Sequence, residues 1–98
     1  MLLRDAVGQQ LRAARVSQSR TLRDVARGAR VSLGYLSEVE RGQKEASSEL
    51  LASICTALNI NLSSLLNDVT NQVAKSEKAV LKVVKPAIKS VSEISDAA

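Results

Sequence analysis

The sequence predicts an all-α protein, with five short helices in a head and a helical extension behind it. Two observations carry this. Apolar residues recur at three- and four-residue steps, the period of a helix face, even in the valine-rich tail where β-branched residues would suit a strand. Ser, Thr and Gly stand at the starts and stops of those runs, where free N–H groups and left-handed turns call for them.

The first helix lies in residues 4 to 18, with Val7, Leu11 and Ala14 on one face and Arg15 one turn beyond Leu11. Thr21 caps the second, with Asp24 answering it in a weak capping box. Leu22, Val25, Ala26 and Ala29 form its inner face, and Ala26 is small enough for a close helix crossing. Arg30 and Val31 connect it tightly to Ser32, the cap of a third helix that Gly42 stops. Leu36 and Val39 point inward there, and Glu40 lies one turn after Leu36. This spacing is that of a helix-turn-helix. After a polar loop, Ser47 caps the fourth helix and Glu49 suits its dipole. Leu50, Leu51, Ile54, Cys55 and Leu58 form its apolar face. Asn59 to Asn61 break it, and Leu62, Leu65 and Leu66 make a short fifth helix.

Composition narrows the chemistry. The chain has 98 residues, enough for one small domain and an appendage. Tyr35 is its one aromatic residue, so the core is aliphatic. The net charge of +4 suits an anionic partner. Without histidine there is no His-built zinc site and no His-based acid–base pair. No motif pairs a nucleophile with a base, so the chain does not read as an enzyme, and it implies no metal or cofactor. The lone Cys55 sits on an apolar face and reads as a buried, inert thiol. No apolar run approaches the ~20 residues of a membrane span. Arg4 and Asp5 interrupt any signal peptide at once. These features describe a soluble cytoplasmic protein.

Residues 7 to 66 resemble the phage-repressor-like, or Xre, family of helix-turn-helix proteins. The resemblance rests on LRAAR at 11–15, TLRDVA at 21–26, VSLGYLSEVERG at 31–42, SSELL at 47–51 and TALNINLSSLL at 56–66. Within the family, VSLGYLSEVERGQKEASSELL is most similar to the actinobacterial Clp gene regulators. The resemblance implies a five-helix, repressor-like domain in residues 1–66. It also implies a dimer on a palindromic operator in double-stranded DNA, and an activator of Clp protease and proteostasis genes that works at the nucleoid. Three positions depart from the pattern. Arg30 replaces the usual turn glycine and must adopt a near left-handed backbone, at roughly 1 kcal/mol. Leu22 replaces a phosphate-binding Gln, and Ala46 replaces a proline.

A recognition helix presents its N-terminal side chains to base edges. On that footing Leu33, Gly34, Tyr35, Ser37 and Glu38 read bases. Leu33 suits a thymine methyl, Glu38 a cytosine amino group, and Gly34 permits close approach. Arg23, Ser32, Arg41, Gln43 and Lys44 hold phosphates, which fixes orientation without reading sequence. Arg27 is less clearly placed. In the competing view Tyr35 packs on the first helix, and Glu38 and the cations only face solvent. Relatives pair an arginine ending the first helix with a glutamate of the recognition helix, which implies a structural pair of Arg15 and Glu40. A protein-interaction module of the antitoxin or coactivator kind on the same fold is the alternative function.

Residues 67–98 carry an amphipathic helical stripe of Val73, Val80, Val84, Ile88 and Val91 among five lysines. Pro86 predicts a kink near 85–86. A stripe this long needs a partner, and a two-fold operator needs two heads, so it reads as a homodimer interface. A frayed basic tail, a membrane-surface helix and a docking helix for another protein are the other readings. Ser95 to Ala98 are expected to be disordered. Their Ala-Ala end resembles termini that Clp proteases accept, which makes Clp protease a candidate degradation partner.

Overall fold

Side-chain caps set the starts of three helices. Thr21 Oγ1 accepts from the Asp24 N–H at 3.0 Å, Ser32 Oγ from Tyr35 at 3.0 Å and Ser47 Oγ from Leu50 at 3.2 Å. Each satisfies a first-turn amide that has no partner inside its helix. The expected answer from Asp24 to Thr21 is not made. Its carboxylate instead accepts from Arg20 Nε at 2.7 Å.

The structure, a computed structural model, describes residues 1–78. These form α1 (Leu3–Ser17), α2 (Leu22–Ala29), α3 (Leu33–Glu40), α4 (Ser48–Ala57) and α5 (Leu62–Lys78), with no strand among the described residues. The all-α, five-helix reading therefore holds, with α1 displaced by one residue from its expected bounds. Positive φ angles close the connections at Ser19, Arg30, Gly42 and Asn59. Arg30 has φ 59° and ψ 41°, the left-handed conformation expected of it. Its N–H and that of Val31 donate to the carbonyls of Arg27 and Ala26, which closes the end of α2.

The core is aliphatic and joins all five helices: Ala6 and Leu11 from α1, Val25, Ala26 and Ala29 from α2, Leu36 and Val39 from α3, Ile54 and Cys55 from α4, and Leu65 and Val69 from α5. Leu58, the C-cap of α4, completes it. Cys55 is a free, buried thiol whose pKa burial pushes up, so it stays protonated. Helix α2 packs on both α3 and α4, and α1 packs on α3. Gly8 sits at the α1–α3 crossing. A Cβ there would lie 2.4 Å from the Val39 carbonyl oxygen and 2.6 Å from that of Glu40. Both are backbone atoms of α3 and cannot swing aside.

The fifth helix departs from expectation. It does not end near Leu66 but runs unbroken to Lys78, so the expected boundary at 66–67 falls inside it. Leu66, expected to close the bundle, is 44% exposed, and Val69, assigned to the tail, is a core residue. Val73, expected at a dimer interface, is half-buried against the same chain's core. Gln72 ties α5 to α1, donating to Gln9 and accepting from Gln10 Nε2 at 2.7 Å. Val80, Val84, Ile88, Val91, the kink at Pro86 and the chain end lie outside the described residues. Among the described residues no single helix is long and apolar enough to cross a membrane.

Gly8→Ala tests the close crossing. Alanine should favour the helix by about 1 kcal/mol, yet the clash with α3 backbone is of the overpacking kind that costs about 1–3 kcal/mol. We expect a net loss of stability in urea unfolding. A stabilised variant would show that α1 and α3 are not held this close.

Candidate nucleic-acid interface

Helix α3 has two chemically different faces. Leu36 and Val39 are buried inside, and Leu33, Gly34, Tyr35, Ser37 and Glu38 are exposed or half-buried outside. Its N-terminus, like that of α5, differs from those of α1, α2 and α4, which carry Asp5, Asp24 and Glu49 in their first turns. Helix α3 carries no acid there. The positive end of its dipole is therefore left uncompensated by side-chain charge. Ser32 caps it through its oxygen, and the hydroxyl hydrogen remains able to donate outward.

Gly34 is the most informative residue of the outer face. A Cβ added to it would meet nothing within 4 Å. Its conformation is helical, so no positive φ requires glycine either. Glycine destabilises a helix by up to about 1 kcal/mol relative to alanine, the full amount applying in the interior, and Gly34 is the second residue of α3. Nothing in the described fold accounts for that cost.

Tyr35, Glu38 and Lys44 come together. Lys44 Nζ lies 3.7 Å from the Glu38 carboxylate and 5.7 Å from the centre of the Tyr35 ring. Both ion-pair partners are about half exposed, so the pair is worth no more than about 1 kcal/mol and can exchange for an external anion. The expected phosphate contact and the expected cytosine acceptor thus occupy one exchangeable cluster. Arg41 is exposed, with Nε donating to the Ser37 carbonyl at 3.3 Å, and Gln43 is exposed beside it. Arg23 is exposed on α2, away from this cluster in sequence.

The loop carrying Gln43 and Lys44 is anchored from α1. Arg4 Nε donates to the Gly42 carbonyl at 2.8 Å. Gly42 has φ 72°, and a Cβ there would collide with Asp5. Arg4 escaped the sequence reading because its partner is a backbone atom 38 residues away. Gly8, a glycine inside a helical pattern, did carry a readable signal of close packing.

Behind the outer face, Arg15 and Glu40 pair as expected. Arg15 Nε donates to Glu40 Oε2 at 2.8 Å and its NH2 group to Oε1 at 3.0 Å, a bidentate fork. The side chains are only 15% and 6% exposed. The third arm of the guanidinium donates to the Arg20 carbonyl at 3.0 Å. The hydrogen bond with Glu40 raises the Arg15 pKa against the opposing effect of burial. A cation held in this way contributes stability that is lost only as pH rises through the raised pKa. The guanidinium is thus charged across the whole working range.

The helix-turn-helix domain family matches residues 11–65. The transcriptional regulator ClgR of Mycobacterium tuberculosis is 60% identical over 77 residues, 79% of this chain and 69% of that protein. Among solved structures, the clp gene regulator ClgR from C. glutamicum superposes with a TM-score of 0.71 at 50% identity, over 74% of this chain and 94% of that one. The restriction-modification controller protein C.AhdI from Aeromonas hydrophila does so with a TM-score of 0.62 at 29% identity, over 63% and 94%.

A double-mutant cycle on thermal unfolding tests the pair. Glu40→Ala or Arg15→Ala alone should lose roughly 3–5 kcal/mol, because the remaining charge stays buried. Replacing both with apolar residues of similar size should recover much of that loss. Strictly additive losses would mean that the two side chains do not act together.

The buried fork, the capped α3, the domain match and the relatives agree: this chain belongs to the helix-turn-helix family, among the ClgR-type regulators.

Proposed function

We propose that the chain is a sequence-specific, DNA-binding transcription regulator that reads operator bases with the outer face of α3. The observation that carries this is Gly34, a helical glycine that the described fold does not require, on the exposed side of a helix whose first turn is free of acids. Close approach of a base edge gives it a reason. In this reading Leu33, Gly34, Tyr35, Ser37 and Glu38 face bases, and Arg23, Ser32, Arg41, Gln43 and Lys44 face phosphates. The protein works in the cytoplasm, at the nucleoid, as a homodimer on a palindromic operator. Residues 67–98 supply the dimer contacts beyond the α5 residues that belong to the core. By analogy with the C. glutamicum clp gene regulator, its targets include clp genes, and in this reading it activates them.

Footprinting of the purified protein on genomic DNA tests the reading and yields the operator. With that operator in hand, Gly34→Ala should raise thermal stability by up to about 1 kcal/mol, while Gly34→Leu should weaken specific binding without unfolding the domain. Lys44→Ala should weaken specific and non-specific binding alike and lower the salt slope by about one unit. Loss of base preference with an unchanged slope in Lys44→Ala would reverse the assigned roles.

Assembly is read by truncation. A chain ending at Lys78 keeps Val69 and Val73. It should sediment as a monomer and bind one half-site weakly, since linked heads gain from effective concentration. A chain ending at Leu66 should lose a further 1.5–3 kcal/mol or so, the worth of burying Val69. A stable dimer of the Lys78-ended chain would remove the tail from the interface.

A further inference from the structure

Half of the eight arginines in the described residues are tied to other groups of the chain. Arg4 holds the Gly42 carbonyl, Arg15 holds Glu40, Arg20 holds Asp24, and Arg41 holds the Ser37 carbonyl. Arg12 on α1 is exposed and makes no such contact, and α2 and its C-cap carry three more like it. Arg23, Arg27 and Arg30 are all exposed, with no hydrogen-bond or ion-pair partner for their guanidiniums among the described residues.

Their placement is not random. One flank of α2 is closed by α4: Asp24 receives Arg20, which also reaches the Ala57 carbonyl, and a Cβ on Gly28 would lie 3.3 Å from that of Ala57. Arg23 and Arg27, four residues apart, share a face away from that flank. Arg30 ends α2 three residues before Leu33, the first residue of the reading helix. The stripe thus runs toward the N-terminal end of α3. Two features oppose its existence. Like charges four apart on a helix repel, and Arg30 occupies a left-handed conformation that glycine would adopt without strain. A strained, unpaired cation at the edge of a binding face points to an anion outside the chain.

We propose that Arg23, Arg27 and Arg30 form a phosphate track along α2, in which Arg27 and Arg30 extend the backbone grip beyond the recognition helix. This rests on the DNA-binding reading above. The helix rise separates Arg23 from Arg27 by about 6 Å, and a strand carries one phosphate per ~3.4 Å of duplex axis, so neighbouring guanidiniums meet different phosphates.

The test measures affinity of the full chain for the footprinted duplex across a salt series, alongside thermal melting. Arg27→Gln and Arg30→Gly should each flatten the slope of log affinity against log salt by about one unit. Arg30→Gly should do so while melting higher than the parent, since glycine relieves the left-handed strain. A residue with a merely structural role cannot give that combination. Lys44→Ala serves as the reference for a phosphate contact. Parent-like slopes in Arg27→Gln and Arg30→Gly, with a lowered slope in Lys44→Ala, would overturn the track and leave the DNA reading standing. No salt-dependent binding of duplex by the parent chain would overturn the DNA reading and the track with it.

Discussion

The guanidinium of Arg15 reaches three oxygens in two other parts of the chain, and through them it sets where α3 lies against α1. Two of its arms hold Glu40 at the end of α3, and one holds the Arg20 carbonyl in the α1–α2 connection. That connection is itself pinned to the end of α4, where Gln18 Nε2 donates to the Leu58 carbonyl at 2.6 Å and Arg20 to that of Ala57. One half-buried cation therefore indexes α1, α3 and, through a short loop, α4. Desolvation offsets much of such a pair's attraction, so its contribution is positional more than energetic. An aliphatic core of Leu, Val, Ile and Ala tolerates sliding, because its contacts are non-directional. A bidentate fork does not.

The same logic separates the inside of α3 from its outside. Inside, the polar contact is buried, bidentate and costly to break. Outside, Lys44, Glu38 and Tyr35 make contacts that are half exposed and weak. A binding surface needs the second kind, since each internal contact must yield to a contact with the ligand. The backbone is made rigid and the side chains are left exchangeable. Gly8 and Arg4 serve the rigid half, one by admitting α1 close to α3 and the other by fixing the turn after it.

What the sequence revealed follows from the range of each interaction. Caps at Thr21, Ser32 and Ser47 are decided within three residues, and all three were legible. So were the left-handed Arg30, the break at Asn59 and the buried Cys55, which follow from local conformation or from helical period. The Arg15–Glu40 pair, 25 residues apart, was legible because both charges fell on apolar stripes and because relatives suggested it. Arg4, Gln18 and Arg20 were not legible, because each binds a distant backbone carbonyl that no residue type announces. Asp24 was misread because two partners competed for one carboxylate, and a cation one helical turn away won over a backbone amide. The end of α5 was misplaced for a related reason. Leu62, Leu65 and Leu66 suggested a complete short helix, but Val69 continues the same buried face into what composition marked as tail.

Two positions break local rules in opposite directions, and they flank the same end of α3. Arg30 holds a left-handed turn where glycine fits without strain, and Gly34 sits in a regular helix where alanine fits without contact. Exchanging the two preferences would give a more stable isolated domain, by up to about 1 kcal/mol at each site. Packing explains neither choice, because Arg30 is exposed and Gly34 borders open space. A surface selected for what lies beyond it would carry both departures: a cation where charge must project, and no side chain where another molecule must come close.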